Sequence, residues 1–131
     1  MAPPPLRLAP GAQSFKVLQF TDLHFSLNGD ASERTLHVMR SVLAAEPDAD
    51  LVVYSGDLVS ADAMFAPKNG PLEPSWFAKQ WALALSPLQG RIPHAVALGN
   101  HDLVRDPAMA IAACVPVCNV LTMCSHRSAA R

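Results

Sequence analysis

Neither sign of charge dominates this sequence, whose 131 residues hold 10 lysines and arginines against 11 aspartates and glutamates. So balanced a chain has no basic face for a phosphate backbone or an anionic bilayer, and neither nucleic acid nor a membrane surface is expected as a partner. Cysteine is scarce as well. Cys114, Cys118 and Cys124 are odd in number and all lie near the C-terminus, which argues against a disulfide framework and for free thiols in a reducing compartment. Their spacing, with His126 nearby, matches none of the usual structural zinc sites. The N-terminus lacks the unbroken apolar core of about 7 to 15 residues that a secretory signal needs, because Met1 to Gly11 carries three consecutive prolines and Arg7. No signal peptide is read there, and an intracellular soluble protein is the expectation. Pro107 to Ser125 has no charged residue, yet Pro116 and Asn119 interrupt it and alanine prevails before Pro116. These interruptions argue against a membrane span there, which is kept only as the alternative reading.

Apolar residues are plentiful, making up 50% of the chain, enough for one domain with a real core. Residues 1–14, rich in proline, read as a disordered leader. A first strand is expected from Phe15 to Phe20. After the break signal Asn28-Gly29-Asp30, a helix is expected from near Ser32, with Ser32 or Asp30 as its cap and Glu33 complementing its dipole. Its buried stripe is Leu36, Met39, Val42 and Leu43, His37 and Arg40 fall outside that stripe, and Pro47 marks the exit. A second strand, Leu51 to Tyr54, is nearly all apolar, as a strand covered on both faces is. Ser60 to Pro74 reads as a long loop. A second helix starts at Ser75, places Phe77, Trp81, Ala84 and Leu88 on one face, and is stopped by Pro87 and Gly90. Trp76 and Trp81 read as core or helix-face residues rather than a stacking platform, and His94 as a surface or packing histidine. The third strand is Ala95 to Leu98. A β-α-β-α-β order with crossovers of roughly 30 to 40 residues folds, by the handedness rule, into a parallel sheet covered by helices.

Each strand delivers polar residues to the sheet edge where open α/β sheets carry their chemistry. The first runs into Thr21-Asp22-Leu23-His24, the second into Ser55-Gly56-Asp57, the third into Gly99-Asn100-His101-Asp102. In an extended strand, Asp22 and His24 face the same side and can grip one ion. Gly56, without a Cβ, allows the sharp exit that aims Asp57 over the edge. Asn100 offers a neutral oxygen, and His101 an imidazole that binds metal or carries a proton. Singly, these motifs are also a capping aspartate, a turn dipeptide and a glycine-asparagine turn. Their ordered recurrence at three strand ends points to a metal site.

Asp22-Leu23-His24, Gly56-Asp57 and Gly99-Asn100-His101-Asp102 resemble the first three motifs of the calcineurin-like metallophosphoesterases, and Phe15 to Phe25 is most similar in wording to the purple-acid-phosphatase-like branch. The resemblance covers Phe15 to about Asp102. It implies an α/β fold, the β-α-β-α-β half of an α/β/β/α sandwich, with two metal ions (Mn, Fe or Zn) at the strand ends and a phosphate ester as substrate. It further implies that Asp22 and His24 hold the first ion, Asp57 bridges both, Asn100 holds the second, and His101 acts on the phosphate with Asp102 orienting it.

The sequence departs from that family in two ways. Where purple enzymes carry a tyrosine ligand, three residues after the bridging aspartate, Ser60 stands, so a coloured tyrosinate–iron site is not expected. The family's later histidine and Gly-His-x-His motif are not found after Asp102, where His126 is the only histidine. Residues 103–131 are therefore read as a divergent tail, and the chain as a truncated phosphoesterase. The alternative is a catalytically inactive fragment or binding module of the same fold.

Overall fold

A computed structural model describes residues 6–8, 10–26, 29–60, 74–88, 92–103 and 122–123. Strand β1 is Val17–Phe20, helix α1 Gly29–Ala45, strand β2 Leu51–Ser55, helix α2 Pro74–Leu85, and strand β3 His94–Ala97. A 3-10 turn at His101–Leu103 follows, and strand β4 is Thr122–Met123. The sheet order is β1-β2-β3-β4 with every pairing parallel. The expected α/β fold is thus the observed one. Strand β4, which falls in the tail left without a structural reading, pairs Val96 with Thr122 and Ala97 with Met123. The loop expected from Ser60 to Pro74 lies outside the described residues between 61 and 73.

Consecutive strands pair in chain order, and the right-handed rule for such crossovers puts α1 and α2 on the same face of the sheet. Burial follows from this. Leu18 and Phe20 pair with Val52 and Tyr54, which pair with His94 and Val96, and this row carries the buried side chains of β2 and β3. Leu36 and Met39 of α1 join the same core, as do Trp81, Ala84 and Leu85 of α2 and Leu88 beyond it. The Tyr54 hydroxyl crosses from sheet to helix and donates to the Ala84 carbonyl at 3.3 Å. Each fully buried aromatic or aliphatic side chain contributes about 1.5–3 kcal/mol relative to exposure.

Strand β2 is not covered equally on both faces: Val52 and Tyr54 are buried, whereas Leu51 and Val53 are half-buried and Ser55 is exposed. With both helices on one side, no described helix covers the other face. Helix α1 also starts earlier than the sequence predicts. Ser32 lies inside its first turns, buried, and Gly29-Asp30 opens the helix instead of ending a turn. Asp30 still meets the positive helix end. The expected stripe holds: Leu36 and Met39 are buried, Val42 and Leu43 are half-buried, and His37 and Arg40 are exposed. Helix α2 begins at Pro74, where a missing N–H costs nothing. His94 opens β3 as a packing histidine, buried edge-on to the Tyr54 ring at 6.5 Å between centroids. No helix among the described residues is long and apolar enough to cross a membrane.

The end of the sheet opposite the motif-bearing loops is fastened by Lys16. Its N–H donates to Asp50 at 2.7 Å, and its ammonium reaches Asp48 at 2.6 Å and Glu46 at 2.9 Å. The bonds to Asp48 and then Glu46 push its pKa up to about 12. Because these groups are solvated, they contribute more to alignment than to stability.

Candidate metal centre

The zipper between β1 and β2 does not stop where the strands do. Val17 pairs with Leu51 and Phe25 bridges Val59, so one register offset is kept through both loops. Asp22 N–H donates to the Gly56 carbonyl at 3.1 Å, His24 N–H to Asp57 at 3.0 Å, Phe25 N–H to Leu58 at 2.8 Å, and Ser60 N–H returns to Phe25 at 2.9 Å. This register carries Asp22 and His24 alongside Asp57. One ligand-type atom from each of the three lies within 4.8 Å of the others.

The conformation that brings them together is not the extended one expected. Strand β1 ends at Phe20, and Asp22, His24 and Asp57 have φ of 54°, 49° and 52°. Among the described residues, these are the only non-glycine positions with positive φ. Left-handed backbone is disfavoured for side chains with a Cβ, though Asp and His tolerate it best. Such strain persists where surrounding structure holds it and clusters at functional sites. Two carboxylates and one imidazole form a donor set suited to Mn, Fe or Zn, so the residues present fit a metal ion.

Two glycines let the strand tips close up. Gly56 has φ of 113°, and a Cβ there would meet the Gly99 Cα at 3.1 Å. A Cβ on Gly99 would overlap the Asp57 carboxylate and backbone nitrogen. Gly99 does not use positive φ; its role is close approach, not the left-handed turn its sequence context suggests.

The third motif is tied to the second through backbone hydrogen bonds. His101 N–H donates to Asp57 Oδ1 at 2.8 Å, which seats the turn bearing Asn100 against Asp57. Asn100 itself is exposed. The His101 and His24 rings meet edge to face with centroids 5.0 Å apart. Asp102 is 1% exposed and accepts from Val59 N–H at 2.9 Å through Oδ1 and from Gly99 N–H at 2.8 Å through Oδ2. Burial pushes its pKa up, while these backbone donors oppose the shift. It therefore cross-links the loops after β2 and β3, a role that nothing in the motif itself signals.

His24 presents Nε2 toward Asp22 Oδ1, at 3.9 Å, while its Nδ1 lies 2.8 Å from Ser60 Oγ. Asp22 is the most open of the group, and its Oδ2 takes a bond from the Thr21 hydroxyl at 2.5 Å. Cys114, Cys118, Cys124 and His126 lie outside the described residues.

Compared with known families, residues 15–128 match the family model described as calcineurin-like phosphoesterase. The matched span contains all three motifs and continues past Asp102. None of the curated proteins matches the chain.

Proposed function

The chain belongs to the calcineurin-like phosphoesterase family, and from that premise we propose that it is a metal-dependent hydrolase of phosphate esters whose site is formed by Asp22, His24, Asp57, Asn100 and His101. The observation that carries this reading is the coincidence of the left-handed backbone with the candidate ligands Asp22, His24 and Asp57 at converging strand tips. In it, Asp22 and His24 would hold one ion, Asp57 would be shared with a second, and Asn100 would hold that second ion from the loop after β3. The part that bears the site is residues 15–102.

Divalent cations held there would supply Lewis acidity, acidifying a bound water and neutralising phosphoryl charge. The protein's own contribution is placement and proton transfer. Asp57 would lower the repulsion between two such cations and, through its bond to His101 N–H, fixes the approach of the His101 loop. His101, its ring edge to face with that of His24, gives a proton to the departing oxygen, or stabilises charge on the phosphoryl group. Asp102 is a positioning residue that holds the His101 loop to the exit of β2. The wording of Phe15 to Phe25 supports the purple-acid-phosphatase-like branch, and Ser60 in the tyrosine position supports a colourless site with Mn, Fe or Zn.

Metal analysis of the purified protein and hydrolysis of a chromogenic phosphomonoester test the proposal, with Asp57→Asn as control. The amide still accepts from His101 N–H but loses the charge. Its loss in metal affinity is expected to exceed the roughly 10–100-fold that removal of a supporting partner costs. Wild type without stoichiometric metal, and no faster than the variant, would exclude catalysis by this chain. A second reading, a non-catalytic member of the fold, draws on the single imidazole within the three-residue group. Tight metal binding without turnover would favour it.

A further inference from the structure

Ser60 is a buried polar residue beside the site that the mechanism leaves without a role. Ser60 is 1% exposed, and its Oγ lies 2.8 Å from His24 Nδ1. Its backbone is fixed independently, since Ser60 N–H donates to Phe25 O at 2.9 Å within the bridge that continues the β1–β2 register. The hydroxyl is thus held still against one ring nitrogen, while the other, Nε2, faces Asp22.

We infer that Ser60 is a positioning residue for His24: its hydroxyl oxygen accepts Nδ1–H, so that the ring is held in the tautomer with an unprotonated Nε2 facing Asp22. The inference rests on His24 serving as a metal ligand, as proposed above. An imidazole can ligate through Nε2 only if that nitrogen carries a lone pair, and in neutral imidazole this requires the proton on Nδ1. Metal-binding histidines depend on such a partner for orientation and tautomer. A serine at this position reaches the adjacent histidine and supplies an acceptor, whereas a tyrosine would be too large for the same buried spot without repacking. The serine therefore acts on the ligand, not on the ion.

The test compares wild type, Ser60→Ala and Ser60→Thr as full-length chains. Ring 15N shifts of His24 in metal-free protein at about pH 8.5, two units above the ordinary imidazole value, report the tautomer without any metal. Calorimetric titration with Zn or Mn reports affinity. Wild type is expected to carry the proton on Nδ1. Ser60→Ala should move it toward Nε2 and weaken metal binding by about 10–100-fold with an unchanged melting temperature, and Ser60→Thr should restore both readouts. If Ser60→Ala keeps the wild-type tautomer and affinity, Ser60 does not position His24, and the proposed function stands without it. If wild type shows the Nδ1–H form yet takes up neither Zn nor Mn, the reading of the site fails and this inference falls with it. The metal-free ring shifts keep the two failures apart.

Discussion

Removing the Asp102 carboxylate is the sharpest probe of how the strand tips are held. Its two oxygens accept from two different backbone donors, Val59 N–H and Gly99 N–H, and the group is 1% exposed. Ala at this position leaves the buried Val59 N–H and the half-buried Gly99 N–H without a partner, at about 1–3 kcal/mol for the first and toward the lower end of that range for the second. Part of that loss is offset, because the wild-type carboxylate is itself desolvated and its pKa is pushed up by burial. A net loss of about 2–3 kcal/mol follows, a large fraction of the roughly 5–15 kcal/mol that holds a domain together. Asn is not a neutral substitute: its one oxygen serves one donor and turns an NH2 group toward the other, costing about 1–3 kcal/mol. Urea unfolding followed by tryptophan fluorescence, which reads the fully buried Trp81, measures both variants. At an m-value of about 1.5 kcal/mol/M, Ala should lower the midpoint by about 1–2 M and Asn by about 1 M. An Ala midpoint within about 0.3 M of wild type would refute the clamp. Activity lost in the Asn variant at unchanged stability would assign Asp102 to the chemistry instead.

Gly99→Ala should open the same junction from the other side, because the added Cβ meets the Asp57 backbone nitrogen as well as its carboxylate, and backbone cannot swing away. A stability loss of about 1–3 kcal/mol is expected, with weaker metal uptake by calorimetry; wild-type values for both would show that the tips have slack. His94 should make stability pH-dependent. Its burial lowers the imidazole pKa, against a bond to the Ile92 carbonyl that raises it. The unfolded chain therefore binds the proton more readily. Stability is full above the ordinary value of about 6.5 and falls as pH drops from there toward the folded pKa. Urea midpoints at about pH 7.5 and 5.5 should differ in wild type more than in His94→Leu, and equal differences would remove His94 as the cause.

The sequence alone determined the order of elements and the content of the three motifs. Apolar runs such as Leu51 to Tyr54, helical spacing at Leu36, Met39 and Leu43, and proline and glycine stops follow from local sterics and the need to bury one face. The same runs, each ending in ligand-type residues, marked the sheet edge as the site. Only tertiary structure decided how those residues meet. The constant β1–β2 register, not strand alternation, brings Asp22 and His24 to Asp57, where all three have left-handed backbone. The two described helices, both on one face, leave Val53 half-buried although its neighbours in sequence gave no hint of it. The bonds of Asp102 to Val59 and of Ser60 to His24 join residues 43 and 36 positions apart. No local pattern encodes such pairs, because a hydrogen bond between distant loops depends on where the whole chain places its two ends.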